Sequence, residues 1–201
     1  MFAAILAGGK GRRLGGVEKG ILKVGGKRII EYILESLEDF EKVIVCRDED
    51  QSKLYSKFDS TITDILKGMG PLGGIHAALS HFNDNVLVVS TDMPFLNRKV
   101  CKVLYEECRN ANAVIPMWED GKFEPTLATY STKVKPEIER CYRLKERRVI
   151  KAIERLDGVK YYPIEKFRKY DKELLSFMNI NTPQDLEKAE KIMAKRGFRG
   201  F

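Results

Sequence analysis

Five short, mostly β-branched runs recur down the chain, each bounded by turn residues: FAAIL at 2–6, KVIVC at 42–46, TITD at 61–64, VLVVS at 86–90 and AVIP at 113–116. They are too short for helices and too continuously apolar for strands with one wet face, so they read as buried strands. Between them apolar residues return at helical spacing. Ile29, Ile33 and Leu37 form one stripe with Ile30 and Leu34 beside it, Val134, Ile138 and Tyr142 a second, and Val149, Ile150, Ile153 and Leu156 a third. Strands alternating with such helices predict an α/β fold: a Rossmann-like, doubly wound, mostly parallel sheet with helices on both faces. Thr182, Pro183 and Asp185 mark the start of a last helix, which Leu186, Ala189 and Met193 would dock. The segment 120–131 is expected to hold a turn and a strand able to run antiparallel. No repeat, low-complexity stretch or linker divides the 201 residues, so one domain over 1–201 is expected, with a flexible basic tail at 195–201.

Sheets of this kind bind ligands beyond the carboxyl ends of their strands. The loops after residues 6, 64, 90 and 116 should therefore meet at one crevice. The first loop, LAGGKGRRLGGVEKG, carries Lys10, Arg12, Arg13 and Lys19 among glycines. Bare backbone lets amide N–H groups converge on an anion, and four cations raise the local potential, which suits a polyphosphate. It is not a Walker A loop, because no Gly-Lys-Ser/Thr follows. A dinucleotide fingerprint forced onto Gly9 and Gly11 fails at Leu14. A second glycine cluster, GMGPLGG at 68–74, follows Asp64, and a third loop, STDMP at 90–94, puts Asp92 at the end of the most apolar strand. A carboxylate there suits Mg²⁺ bridging phosphate oxygens.

Composition narrows the field further. Lys and Arg number 36 against 29 Asp and Glu, a net +7 that favours an anionic partner. No segment is apolar enough to cross a bilayer, and the apolar start lacks a basic region before it, which speaks against a signal peptide. Cys46, Cys101, Cys108 and Cys141 show no metal spacing and read as reduced thiols of a cytoplasmic protein. His76 and His81 read as ordinary helix residues, and no Ser-His-Asp or Cys-His set is present.

LAGGKGRRLGGVEKG, followed in order by GPLGG (70–74), TDMP (91–94), DGKFEPT (120–126), KERRV (145–149) and NINTPQDL (179–186), resembles the signature of molybdenum cofactor guanylyltransferases. The resemblance implies the nucleotide-diphospho-sugar transferase-like form of the fold. It also implies transfer of GMP from GTP to the terminal phosphate of the molybdenum or tungsten pterin, with Mg²⁺, releasing pyrophosphate. By that resemblance Leu6, Ala7, Gly8 and Gly9 receive the nucleotide, Lys19 binds phosphate, Asp64 contacts the nucleotide, and Gly70 and Gly74 keep their loop close. Asp92 holds the metal, while Arg13, Arg147, Arg148, Asn179 and Asn181 serve the pterin; Lys19, Asp92 and Arg13 form the catalytic set. Molybdoenzymes or cofactor-delivery proteins are the partners it brings into view. Three positions depart from the family pattern: Glu18 replaces Asp, Cys46 stands where a nucleotide-contacting Asn can occur, and Glu124 stands where His is common.

Other readings stay open at this level. A sugar-1-phosphate nucleotidyltransferase would use a similar loop but needs a sugar pocket where arginines and paired asparagines stand. A cytidylyltransferase of the same pterin differs mainly in the base. A basic nucleic-acid-binding protein has the charge but neither interleaved aromatics nor a groove-reading motif, so no nucleic acid partner is expected. A silent pterin carrier would not need both Lys19 and Asp92.

Overall fold

A computed structural model describes residues 1–8, 10–11 and 15–195. Gly9, Arg12, Arg13, Leu14 and residues 196–201 lie outside the described residues, as does the side chain of Lys10. Seven strands form the central sheet: β1 (Phe2–Leu6), β2 (Glu41–Cys46), β3 (Thr61–Thr63), β4 (Val86–Ser90), β5 (Ala113–Met117), β6 (Leu127–Tyr130) and β7 (Val159–Pro163). Their spatial order is β7-β5-β6-β4-β1-β2-β3. Every neighbouring pair is parallel except the two that β6 makes, with β4 and β5. The antiparallel strand foreseen within 120–131 is thus β6, in the sheet interior.

Both faces of the sheet are covered, which is why its strands show apolar runs rather than alternation. Ala3 and Ile5 of β1, with Ile44 and Leu87, pack under α1 (Ile29–Ser36), Tyr55 of α2 (Glu49–Tyr55), α4 (Arg98–Glu107) and α7 (Pro183–Lys195). The alternate residues Ala4, Leu6, Val43 and Val88 pack under α3 (Pro71–Phe82), α5 (Lys135–Arg143) and α6 (Val149–Ile153). A fully buried Ile or Leu at such a position contributes about 1.5–3 kcal/mol over an exposed one.

Two sequence expectations change in detail. Tyr142 is exposed and Cys141 takes its place on the buried stripe, because Val134 sits in a tight turn before α5 and shifts the helical phase. Lys195, expected in the tail, is the last residue of α7. That helix opens as its sequence predicts: the Asp185 backbone N–H donates to Thr182 Oγ1, while Asp185 Oδ2 accepts from the Asn181 and Thr182 backbone N–H groups. All four cysteines are buried and free.

The register places the functional ends together. Leu6 pairs with Val45 on one side and Ser90 on the other, so β1, β2 and β4 end level. Strand order turns back on itself between β1 and β4, the kind of place where such sheets open a ligand crevice.

Candidate active site

At those level ends lies a cavity of ≈ 50 Å³, lined among others by Leu6, Gly8, Arg47, Asp64, Gly70 and Gly74. Asp64 follows β3, its backbone N–H held by the Cys46 carbonyl at 2.9 Å. Gly74 packs closely there: a Cβ would come within 2.7 Å of Leu6 Cδ2, so the leucine side chain would have to shift. Gly70, at φ 59°, turns the chain into α3 in a conformation that side-chain-bearing residues rarely adopt. The Asp64 carboxylate has no hydrogen-bond partner among the described residues, and burial alone pushes its pKa up to about 6. It is therefore ionised near neutrality.

Beside this cavity three distant segments meet. Lys19 Nζ donates to Asp92 Oδ2 at 2.8 Å and to Asn181 Oδ1 at 2.6 Å. Both charged side chains are mostly buried, at 17% and 12% exposure. The Ile180 backbone N–H donates to the Asp92 carbonyl at 2.9 Å, and the Thr91 N–H to the Leu6 carbonyl at 3.3 Å. Backbone bonds thus tie the metal-loop candidate to β1 and to the NINTP segment.

The second oxygen of Asp92, Oδ1, is buried without a hydrogen-bond partner among the described residues. A hard oxygen atom left unpaired beside a phosphate-binding lysine fits a divalent cation that takes its remaining ligands from water and phosphate. Among the described residues no group of three His, Cys, Asp or Glu side chains forms a full protein cage. Asp92 is accordingly the residue able to hold such an ion.

The Ala7 backbone is used within the protein, its N–H on the Val45 carbonyl at 2.9 Å and its carbonyl taking Gln51 Nε2 at 2.8 Å. Asn179 is half-buried and donates to the Phe177 carbonyl. Arg148 is exposed and pairs twice with Glu146, at 3.0 and 2.7 Å, and this pairing draws the Glu146 carboxyl down to about 2. Arg147 is exposed as well, and among the described residues neither arginine contacts the Lys19 cluster.

Glu18, Arg47 and Gln51 form a network that braces the end of the first glycine-rich loop. Glu18 accepts from Arg47 Nη2 at 2.5 Å and from Gln51 Nε2 at 2.6 Å, and the Gln51 carbonyl oxygen takes the Arg47 N–H at 2.8 Å. Glu124 is 7% exposed, with Trp118 Nε1 donating to it at 2.8 Å; burial raises its pKa against the pull of that bond and of Lys122, and Asp92 adds to the rise. The signal for Arg47 was its position one residue beyond Cys46, at the carboxyl end of a strand. Trp118 and Glu124 are joined across a tight turn whose partners no spacing rule names.

A glycine-lined cavity with an ionised acid, next to a buried lysine and a carboxylate with a spare oxygen, at the turning point of a parallel sheet, defines a nucleotidyltransferase. Comparison with known proteins gives the particular family. Residues 3–159 match the model of the MobA-like NTP transferase domain. A probable molybdenum cofactor guanylyltransferase of Methanosarcina mazei is 38% identical, the match covering 92% of this chain and 88% of that one. The crystal structure of molybdopterin-guanine dinucleotide biosynthesis protein A from Archaeoglobus fulgidus superposes with a TM-score of 0.88 at 45% identity, covering 97% of this chain and 100% of that one. A 2-C-methyl-D-erythritol 4-phosphate cytidylyltransferase from Thermus thermophilus shares the fold, with a TM-score of 0.69 at 16% identity over 96% and 98% of the two chains. The chain belongs to the molybdenum cofactor guanylyltransferase family. No helix among the described residues is long and apolar enough to cross a membrane.

Proposed function

We propose that the chain acts as one cytoplasmic nucleotidyltransferase domain, its first part holding GTP and its second the molybdenum or tungsten pterin. It transfers GMP to the pterin's terminal phosphate with Mg²⁺. An oxygen of that phosphate attacks the α-phosphorus of GTP, the bond to the β-phosphate breaks, and pyrophosphate leaves with the electron pair. The observation that carries this reading is the junction of Lys19, Asp92 and Asn181 beside the Asp64 cavity.

The attacking group is already an anion, so no general base is needed and the obstacle is to bring two anions together in line. Lys19 puts a fixed positive charge next to the reacting phosphates, in a site dry enough for that charge to count. Asn181 holds the lysine on its far side, so the ammonium stays aimed. Asp64 accepts hydrogen bonds from the base and keeps the nucleotide in register. Mg²⁺ held by Asp92 would neutralise phosphate oxygens and ease departure of pyrophosphate. Arg147 and Arg148, on a solvent-facing loop, can exchange Glu146 for the pterin's phosphate at small cost.

The test is turnover: the purified protein, Mg²⁺ and the metal-loaded pterin are incubated with GTP or CTP, and pyrophosphate and the dinucleotide product are measured. GTP-dependent product is expected. Pyrophosphate released with CTP in preference to GTP would overturn the reading.

A further inference from the structure

Arg47 lines the same cavity as Asp64 and is held on two sides. Its Nη2 donates to Glu18 at 2.5 Å and its Nε to Asp48 at 3.1 Å. The third nitrogen, Nη1, is buried with no hydrogen-bond partner among the described residues. A guanidinium fixed by two carboxylates cannot swing to satisfy the third corner, and a buried donor without an acceptor is costly. Asp64 presents the opposite need, an acceptor without a donor. No ion pair joins the two, although they share one cavity.

An occupant that accepts at one edge and donates at another satisfies both. Guanine does so, with its carbonyl O6 beside N7 as acceptors and N1–H and the 2-amino group as donors. Adenine would set its amino group against the arginine N–H. Cys46, one residue earlier, cannot take this role, since burial pushes its thiol up to about 12 and leaves a neutral, weak donor.

We propose that Arg47 is a specificity-determining residue that donates from Nη1 to O6 of guanine, across the cavity from Asp64. The proposal rests on the guanylyl reading above. It assigns the discrimination that an asparagine would give at position 46 to the neighbouring arginine.

The experiment is a set of calorimetric titrations with Mg²⁺, using GTP, 6-thio-GTP, in which sulfur, a weak acceptor, replaces O6 while N1–H and the 2-amino group stay, and ITP, which keeps O6 but lacks the 2-amino group. Wild type should bind GTP roughly tenfold or more tightly over the O6-lacking analogue. In Arg47→Met that preference should collapse while the GTP-to-ITP ratio stays as in wild type, because the 2-amino group answers to Asp64. Equal weakening of GTP and the O6-lacking analogue in Arg47→Met would overturn the proposal and reduce Arg47 to a brace for Glu18. Should Arg47→Met fail to fold, Arg47→Lys carries the same comparison with a cation kept beside Glu18. Wild type binding GTP and the O6-lacking analogue equally would overturn the proposal with no variant at all. Preference for CTP over GTP in wild type is a different result, which sinks the guanylyl reading itself.

Discussion

The cavity around Asp64 and the loop that carries Arg147 and Arg148 are built on opposite plans. On the first, side chains are locked before any ligand arrives: Glu18, Arg47 and Gln51 brace one another, and Gly73 and Gly74 let α3 press on Asp64 and Leu6. On the second, the arginines stand in water and Arg148 is held by one half-buried glutamate. A packed wall resists deformation, whereas a surface ion pair contributes only about 0–1 kcal/mol and exchanges readily. On the proposed function, the contrast suits a small, fixed nucleotide at the packed cavity and a bulky anion that must enter and leave at the open loop.

Four substitutions would break or sharpen this contrast. Asp92→Asn should lower turnover by about 10²-fold or more with Mg²⁺ present, with circular dichroism nearly unchanged. Near-normal rates would remove Asp92 from its metal role. At the packed cavity, Gly73→Ala forces a Cβ to within 2.8 Å of the Leu66 carbonyl oxygen, a backbone atom with little room to yield. A loss of about 1–3 kcal/mol is expected in urea unfolding. An unshifted midpoint would show that this cavity is looser than described.

Asp64→Asn probes the same cavity through pH. Burial holds the Asp64 carboxyl at about 6, above its ordinary range, so the folded state binds its proton more tightly than the unfolded state does. Wild-type stability from this group therefore falls as pH rises from the usual aspartate range to about 6, and the penalty is complete above it. The variant should be more stable than wild type at pH 8, on the order of 1 kcal/mol once solvent screening is allowed for, and equal to it below about pH 4. Melting curves at both pH values decide this, and a variant less stable than wild type at pH 8 would contradict the desolvation. Smallest of all, Glu146→Gln on the open loop should leave the melting temperature almost unchanged. It should lower the KM for the pterin roughly 2–5-fold by freeing Arg148, with the KM for GTP unmoved. A shift in the GTP value instead would join the two regions.

The sheet was legible because buried parallel strands announce themselves as apolar runs, as at 42–46 and 86–90. Strand β7 was not, because at the sheet edge most of Val159–Pro163 faces solvent and shows no run. Helix α4 escaped notice for a similar reason, its buried residues Val100, Cys101 and Leu104 standing among charged neighbours. Lys19 and Asp92 could be read from glycine-rich loops and a strand end. Their contact with Asn181 could not, since 162 residues separate Lys19 from Asn181 and only the folded chain closes that distance. Arg47 was hidden by its charge, which marks countless surface positions; burial of one nitrogen distinguishes it.

The grip of Lys19 on Asn181 sets an order of events in the cell. Strands β1 to β4 and their glycine loops leave the ribosome early and supply most of the walls of the Asp64 cavity, with Thr126 following. The asparagine that steadies the lysine emerges almost last, with α7 then folding back so that Glu190 accepts from the Gly25 N–H near the start of the chain. A nascent or truncated chain could hold a nucleotide and still lack the arrangement that spends it.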